Sequence, residues 1–351
     1  MLVDDINRAV EESANRLLQS SSPSVRFWTL KDILGSDRED TIVQRVLEEC
    51  AKYPPRQQLL RKIGPDGAWP VPKSTETGNS SYPHEQGYVV HMTMLKNLLR
   101  LLHFVTDPGD PRVDRSLERL LSWQTTEGYI QGPVVNGLPQ PHHNGHALYL
   151  LVGFFAAEDP RLNRLAKWLM SIQRKDGGWN MPYIQDVRYL PQYKNLSMSE
   201  FIELMQTKEK EKHDPRRMQE VPSCHWTTAM VLWGLNEMLW TRRSKCVGRG
   251  ADFLLGRFFQ KNPHPNFFES ERNWLAFKYP HNKCSGLAAL DVLTKAGKGP
   301  DDPRMEKPIR WLLSSRQRDG FWSESDRPHT ETGQWITLTA LWVLSQYARK
   351  L

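Results

Sequence analysis

Nothing in this chain resembles a disulfide framework. Its four cysteines, Cys50, Cys224, Cys246 and Cys284, are scattered over 351 residues without paired spacing. That excludes a small secreted scaffold and points to free thiols or metal ligands in a reducing cytoplasm. No apolar run is long enough to span a bilayer; the longest, "LYLLVGFFAA" from Leu148, stops well short. The N-terminus, "MLVDDINRAVEESANRLL", has the acidic amphipathic pattern of a helix rather than a signal peptide. There is no basic arm and no zinc-finger spacing, and the net charge of +7 is spread along the chain. A nucleic-acid module is therefore not expected; the basic excess reads as a solvated surface or as attraction for an anionic ligand.

What is present is repetition. "EDPRLNRLAKWLMSIQRKDGGW", "DDPRMEKPIRWLLSSRQRDGFW" and "GDPRVDRSLERLLSWQTTEGYI" share one plan. Each starts with Asp-Pro (Asp159, Asp302 and Asp110), an N-cap followed by a residue that has no amide hydrogen to leave unpaired. Apolar residues then recur three and four apart, the mark of an amphipathic helix. Gly177, Gly320 and Gly128 end it, because glycine enters the left-handed region at little cost. A weaker copy ends at Gly67 and Trp69.

Between these segments lies a second kind of helix, apolar on most faces and starting at or just after proline. Examples are "YPHEQGYVVHMTMLKNLL", "PHHNGHALYLLVGFF", "PSCHWTTAMVLWGLNEM", "YPHNKCSGLAALDVL" and "RPHTETGQWITLTALWVL". A helix apolar all round belongs inside a structure. Six outer and inner pairs at a period of roughly fifty residues predict a helical repeat array. The absence of a polar capping repeat favours a closed ring over an open solenoid. The expected fold is thus all-α, a single (α/α)6 toroid domain over 1–351, with an insertion at 181–221 in the fourth repeat that serves as a lid, a docking arm or solvated decoration.

"QRKDGGW" and "RQRDGFW" resemble the Gln-x-x-Asp-Gly-x-Trp repeat of terpenoid cyclases, with Gln173, Asp176, Gly177 and Trp179 in one copy and Arg316, Asp319, Gly320 and Trp322 in a looser one. "CSGLAALDVL" and "HEQGYVV" resemble inner-helix starts of protein prenyltransferase β subunits. The resemblance covers the whole chain and implies the closed toroid. It is specific for the fold and silent about the reaction, and it makes the Trp motifs scaffold. An Asp-x-Asp-Asp motif, with which squalene and hopene cyclases protonate an alkene, is missing, and the length accommodates one toroid where those enzymes have two barrel domains. Classical triterpene cyclisation is accordingly not expected.

The inner-helix starts carry the candidate chemistry: His84 and Glu85; His142, His143 and His146; Cys224 and His225; His281 and Cys284; His329 and Glu331. In a ring these starts converge on one mouth. Imidazole and thiolate are preferred zinc ligands, so Cys224, His225, Cys284, His329 and His143 are candidate zinc ligands; the unmetallated alternative is a polar funnel. The prenyltransferase resemblance places Cys284 near that family's Cys ligand and His329 near its His ligand, with Asn282 in place of its Asp. Glu85 and Glu331 are the candidate catalytic carboxylates. His84, Tyr88, His142, Tyr149, Trp226, Lys283 and Trp335 are candidate substrate contacts; aromatic walls suit isoprenoid chains and cations, while Lys283 and Arg327 suit a diphosphate. Two function classes follow. One is a toroid enzyme for an isoprenoid or other hydrophobic substrate, with zinc at the mouth, including the variant that acts on a peptide thiol or thioether. The other is a non-catalytic toroid that holds a lipid or peptide.

Overall fold

The computed structural model describes residues 2–71, 85–131, 140–155, 158–180, 195–197, 200, 221–262, 271–280, 285–324 and 329–350, with residues 85–88 described by backbone alone. Most of the 181–221 insertion, together with His84, His281, Lys283, Cys284 and the side chains of Glu85 and Tyr88, lies outside the described residues.

The described residues form helices and no strands beyond isolated bridges. In chain order these are α1 (Leu2–Leu17), α2 (Pro23–Trp28, continued by a π turn at Thr29–Ile33), α3 (Thr41–Lys52), α4 (Pro54–Arg61), α5 (Glu85–His103), α6 (Pro111–Leu121) and α7 (Pro141–Phe154). There follow α8 (Pro160–Ser171), α9 (His225–Leu235), α10 (Leu239–Arg242), α11 (Lys245–Gly256), α12 (Gly286–Lys295), α13 (Glu306–Ser314) and α14 (Glu331–Ala348). None of these is long and apolar enough to cross a membrane.

Two layers follow from the two sequence patterns. Every residue of α9 is buried, and α7 is buried on most faces. Helix α6 buries Val113, Ser116, Leu117, Leu120 and Leu121, a single stripe at three- and four-residue spacing. The inner helices touch in succession: α5 with α7, α7 with α9, α9 with α12, α12 with α14, and α14 with α2. Trp28 closes the remaining gap by donating from Nε1 to the His103 carbonyl at 2.8 Å. Helices α7 and α9 approach backbone to backbone, since a Cβ on Gly145 would lie 2.2 Å from the Met230 carbonyl oxygen.

The capping prediction holds atom by atom. Asp110, Asp159 and Asp302 each accept from the amide two residues on, at 3.0, 2.8 and 3.1 Å. The repeated turns explain how the outer layer is stitched. Gln173 Nε2 donates to its own turn at the Gly177 carbonyl and to the next outer helix at the Cys246 carbonyl, both 2.7 Å. Gln124 does the same to Gly128 and Arg161, both at 2.8 Å. Gly177 has φ +94°, and a Cβ there would lie 2.7 Å from the Arg249 carbonyl oxygen on α11; both the backbone angle and the close approach require glycine. The last turn docks on the first helix: Ser13 Oγ donates to the Gly320 carbonyl at 2.7 Å, and Arg316 pairs with Glu12 at 2.9 Å. Helix α1 also packs along α14, so the two ends of the described chain meet.

Candidate active site

A cavity of about 590 Å³ lies among the inner helices. Its lining includes His103 on α5, Tyr149 and Gly153 on α7, Trp233 on α9, Asp291, Thr294 and Lys295 on α12, and Trp335, Trp342 and Gln346 on α14. It reaches the surface where Arg242, Gly297 and Lys350 are exposed.

One wall is aromatic. Tyr149 stacks on Trp233 with ring centroids 4.1 Å apart, and Trp335 stacks on both Tyr279 (5.5 Å) and His103 (5.0 Å). His103 Nδ1 and the Tyr279 hydroxyl are hydrogen bonded. The same cavity holds charged groups beside these rings. Lys295 Nζ lies 3.0 Å from Glu237 Oε1 and 3.7 Å from Asp291 Oδ2, and 5.5 and 5.2 Å from the ring centroids of Tyr149 and Trp342. Burial works against its charge, but Asp291 and Glu237 outweigh burial and hold the ammonium protonated. Asp32 also lines the cavity. Burial raises its carboxyl above the usual range, against the opposing pull of Lys31, Lys295 and Arg349. The cavity therefore combines ring faces that bind cations, an internally neutralised ammonium, and a carboxyl group that burial biases toward its protonated form.

No family model matches the chain. The squalene–hopene cyclase of Bradyrhizobium diazoefficiens is 27% identical over 169 residues, 47% of this chain and 21% of that enzyme. The probable squalene–hopene cyclase of Sinorhizobium fredii is 27% identical over 161 residues, 45% of this chain and 20% of that one. The match thus spans about a fifth of the length of these curated relatives. Among solved structures, the type II terpene cyclase MstE from Scytonema superposes with a TM-score of 0.50 at 12% identity, covering 99% of this chain and 100% of that one. The fold is that of the terpenoid-cyclase-like toroids.

In this toroid, the residues singled out in the sequence are placed in three different settings. Tyr149 and Trp335 line the cavity. Trp226 packs away from it, 4.7 Å from Trp274. Glu331, at the start of α14, accepts from Ser22 Oγ and the Tyr53 hydroxyl, both at 3.4 Å, and is not part of the cavity lining.

Of the expected zinc ligands, Cys284 lies outside the described residues, and the other four are placed apart from any metal-holding group among the described residues. Cys224 is buried, and its sulfur accepts from Asn262 Nδ2 at 3.2 Å. The His225 ring lies 5.3 Å from Trp274 and 6.1 Å from Phe253. His329 is 72% exposed, beside Asp319 and Phe321. Among the described residues no group of three or more His, Cys, Asp or Glu side chains is arranged to hold a metal ion. Cys224 and His225 are enclosed by neighbouring side chains, Asn262 beside the one and Trp274 and Phe253 beside the other.

His142 and His143 belong instead to an imidazole cluster, with His142 4.0 Å and His91 5.8 Å from the His143 ring. His91 is almost completely buried, and among the described residues neither of its ring nitrogens has a hydrogen-bond partner. Burial lowers His91 from 6.5 to about 4; burial and then the His91 charge lower His142 to about 4. The unfolded chain binds these protons near pH 6.5 and the folded toroid only near 4. Stability is thus full above pH 6.5 and falls as the pH drops toward 4, with His91 alone contributing about 3 kcal/mol of the loss. Denaturant unfolding at about pH 7 and about pH 4.5 measures it. His91→Phe should flatten the difference; a variant as acid-sensitive as wild type would remove His91 from the explanation.

Cavity residues that the sequence did not flag include Asp32, His103, Trp233, Glu237, Tyr279, Asp291 and Lys295. One signal was available. Asp291 interrupts the otherwise apolar stretch "GLAALDVL" and is 4% exposed, with Lys295 one turn later. A charge inside an apolar helix with a partner at i+4 is a buried pair, not a solvated helix end.

Proposed function

We propose that the toroid cavity binds an isoprenoid-like hydrocarbon and that Asp32 delivers a proton to one of its double bonds. The observation that carries this reading is the union, in one cavity, of stacked aromatic faces with a carboxyl group raised by burial. The partial similarity to squalene–hopene cyclases supports the substrate class.

In the step proposed, the π pair of a terminal alkene takes the proton from the Asp32 carboxyl. A C–H bond forms, an O–H bond breaks, and the adjacent carbon becomes a cation. The next alkene closes a ring onto that carbon. A proton finally leaves from a carbon beside the last cation to water at the cavity opening, Asp32 regains a proton from solvent, and the product is an isomer of the substrate. Tyr149, Trp233 and Trp335 present the ring faces that stabilise the intermediate charge. Lys295 does not oppose it, because Glu237 and Asp291 neutralise the ammonium. A non-catalytic toroid would share the aromatic wall and make no use of Asp32.

A protonated isoprenoid tertiary amine mimics the cation. By isothermal titration calorimetry it should bind at least about ten-fold more tightly than the hydrocarbon of equal chain length, and Trp335→Ala should weaken it by roughly ten-fold. If neither molecule binds, the cavity is not an isoprenoid site.

A further inference from the structure

Three imidazoles lie across one seam of the ring, and the chemistry proposed for the cavity does not use them. His91 comes from α5, His142 and His143 from the start of α7. His91 is 1% exposed with neither ring nitrogen hydrogen bonded, and His142 Nδ1 has no partner either. Such groups are costly to bury and call for a role. Among the described residues no carboxylate and no cationic side chain acts on His91 or His142; His91 acts on His142, and His142, His91 and His146 act on His143. The other helices packed on α5 and α7 bring charges that are spent elsewhere. Arg56 on α4 pairs with Asp107, Arg119 on α6 with Asp66, and Arg161 on α8 with Glu118 and Asp159. Helix α9 brings the His225 ring, which packs on Trp274 and Phe253. Beyond α6, the Trp123 ring lies 5.7 Å from His91.

We infer that the α5–α7 seam is an acid-operated gate in the wall of the toroid: protons taken up by His91 and His142 part these two helices ahead of the rest of the ring and give the cavity a lateral route. A proton added to the closed seam would be a buried charge with neither water nor a counter-ion beside it. Charge on His91 and charge on α7 would also repel each other, since the His91 and His143 rings are 5.8 Å apart. Both costs vanish when α5 and α7 separate and water enters. The other seam of α7 is built differently. Its contact with α9 is backbone on backbone, where a Cβ on Gly234 would lie 2.3 Å from the Gly145 carbonyl oxygen. The contact with α5 is made through side chains: Gly153 receives Leu102, whose Cδ2 would lie 2.6 Å from a Cβ there. Leu102, His103, Tyr149 and Gly153 all line the cavity, so the seam that parts is one of its walls. The inference depends on where the cavity lies and not on what occupies it.

Hydrogen exchange of the full chain without ligand, followed by mass spectrometry at about pH 7 and about pH 5 with exchange times scaled for the chemical rate, tests the gate. The ordinary histidine value of 6.5, against about 4 in the closed seam, makes proton uptake favour the open form roughly twenty-fold per histidine between these two conditions. Amides of α5 and α7 should therefore lose roughly 10²–10³-fold in protection at the lower pH, while those of α9 and α12 keep theirs. His91→Phe should cut the loss to roughly twenty-fold or less. His142→Phe gives the same reading from the α7 side should the first variant fail to fold. The inference is overturned if α5 and α7 are as protected at low pH as at neutral pH, or if all helices lose protection together, since acid would then unfold the ring as a whole. It is overturned equally if the folded variants open like wild type, or if residues 100–103 and 149–153 stay protected while the starts of the helices open, because the seam would then not reach the cavity. Failure here leaves the amine titration untouched, so the gate and the cavity reading are tested separately.

Discussion

Trp179→Ala is expected to lower the unfolding free energy by about 3–5 kcal/mol. The indole is completely buried. Its Nε1 donates to the Leu169 carbonyl at 2.7 Å, tying the turn back to the helix that precedes it, and its amide donates to Thr228 Oγ1 at 3.0 Å on the next inner helix. Alanine keeps the amide bond and loses the ring. The cavity left behind adjoins Gly250, where the ring takes the space of a side chain: a Cβ on that glycine would lie 2.7 Å from Trp179 Cζ3. A rigid neighbour that cannot collapse inward places the cost in the upper part of that range. Trp322 repeats the arrangement, donating to the Leu312 carbonyl at 2.7 Å, so Trp322→Ala should behave alike. Equilibrium denaturant unfolding measures both. Stability within about 1 kcal/mol of wild type, together with loss of ligand binding, would show that these indoles serve the site and not the scaffold.

Asp32→Asn is expected to reduce isomerisation of an isoprenoid by roughly 10²–10⁴-fold, the usual contribution of a positioned acid. Asparagine fills the same space and has no proton to give. The rate with wild type should decline as the pH rises through the raised Asp32 value, because only the protonated carboxyl acts. Binding of the tertiary amine should be retained in the variant, since the ring faces are unchanged. Product formation is followed by gas chromatography and mass spectrometry on matched protein concentrations. A variant with wild-type turnover would remove Asp32 from the chemistry. Wild-type protein that binds the amine yet never yields an isomer would identify a holder of lipids and not a cyclase.

The buried pair of Asp291 and Lys295 shapes both expectations for the cavity. Were Lys295 unpaired, its ammonium would repel a cation formed against Tyr149 and Trp342. With Glu237 and Asp291 beside it, the ammonium closes part of the cavity while its charge is cancelled locally. Burial raises the Asp32 carboxyl above its ordinary value, against the pull of Lys31, Lys295 and Arg349. The carboxyl groups of one cavity thus differ because their neighbours differ.

The parts of this protein that its sequence determined by itself are those whose causes are local. Asp159 followed by Pro160 caps a helix whatever surrounds it. Gly177 and Gly320 turn the chain because their backbone angles are open to glycine. Trp179 and Trp322 reach back ten residues to a carbonyl of their own helix. Each of these interactions closes within one repeat, so its spacing is written in the chain. The all-α layering was legible for the same reason, since one stripe or an all-round apolar surface decides whether a helix lies outside or inside.

Only the tertiary structure decided where the site is. The histidines and cysteines at the inner-helix starts share a sequence position, yet His143 is packed against His91, Cys224 against Asn262 and His225 against Trp274. Glu237 and Lys295 sit near helix ends, where charges are ordinarily solvated, Asp291 lies within an apolar helix, and Asp32 comes from the opposite end of the chain. They share a cavity because the ring brings α2 beside α14 and α9 beside α12. Closure of that ring depends on contacts between residues as distant as Ser13 and Gly320. A carboxyl group is raised or lowered by what packs around it in three dimensions, and no spacing within a single repeat records those neighbours.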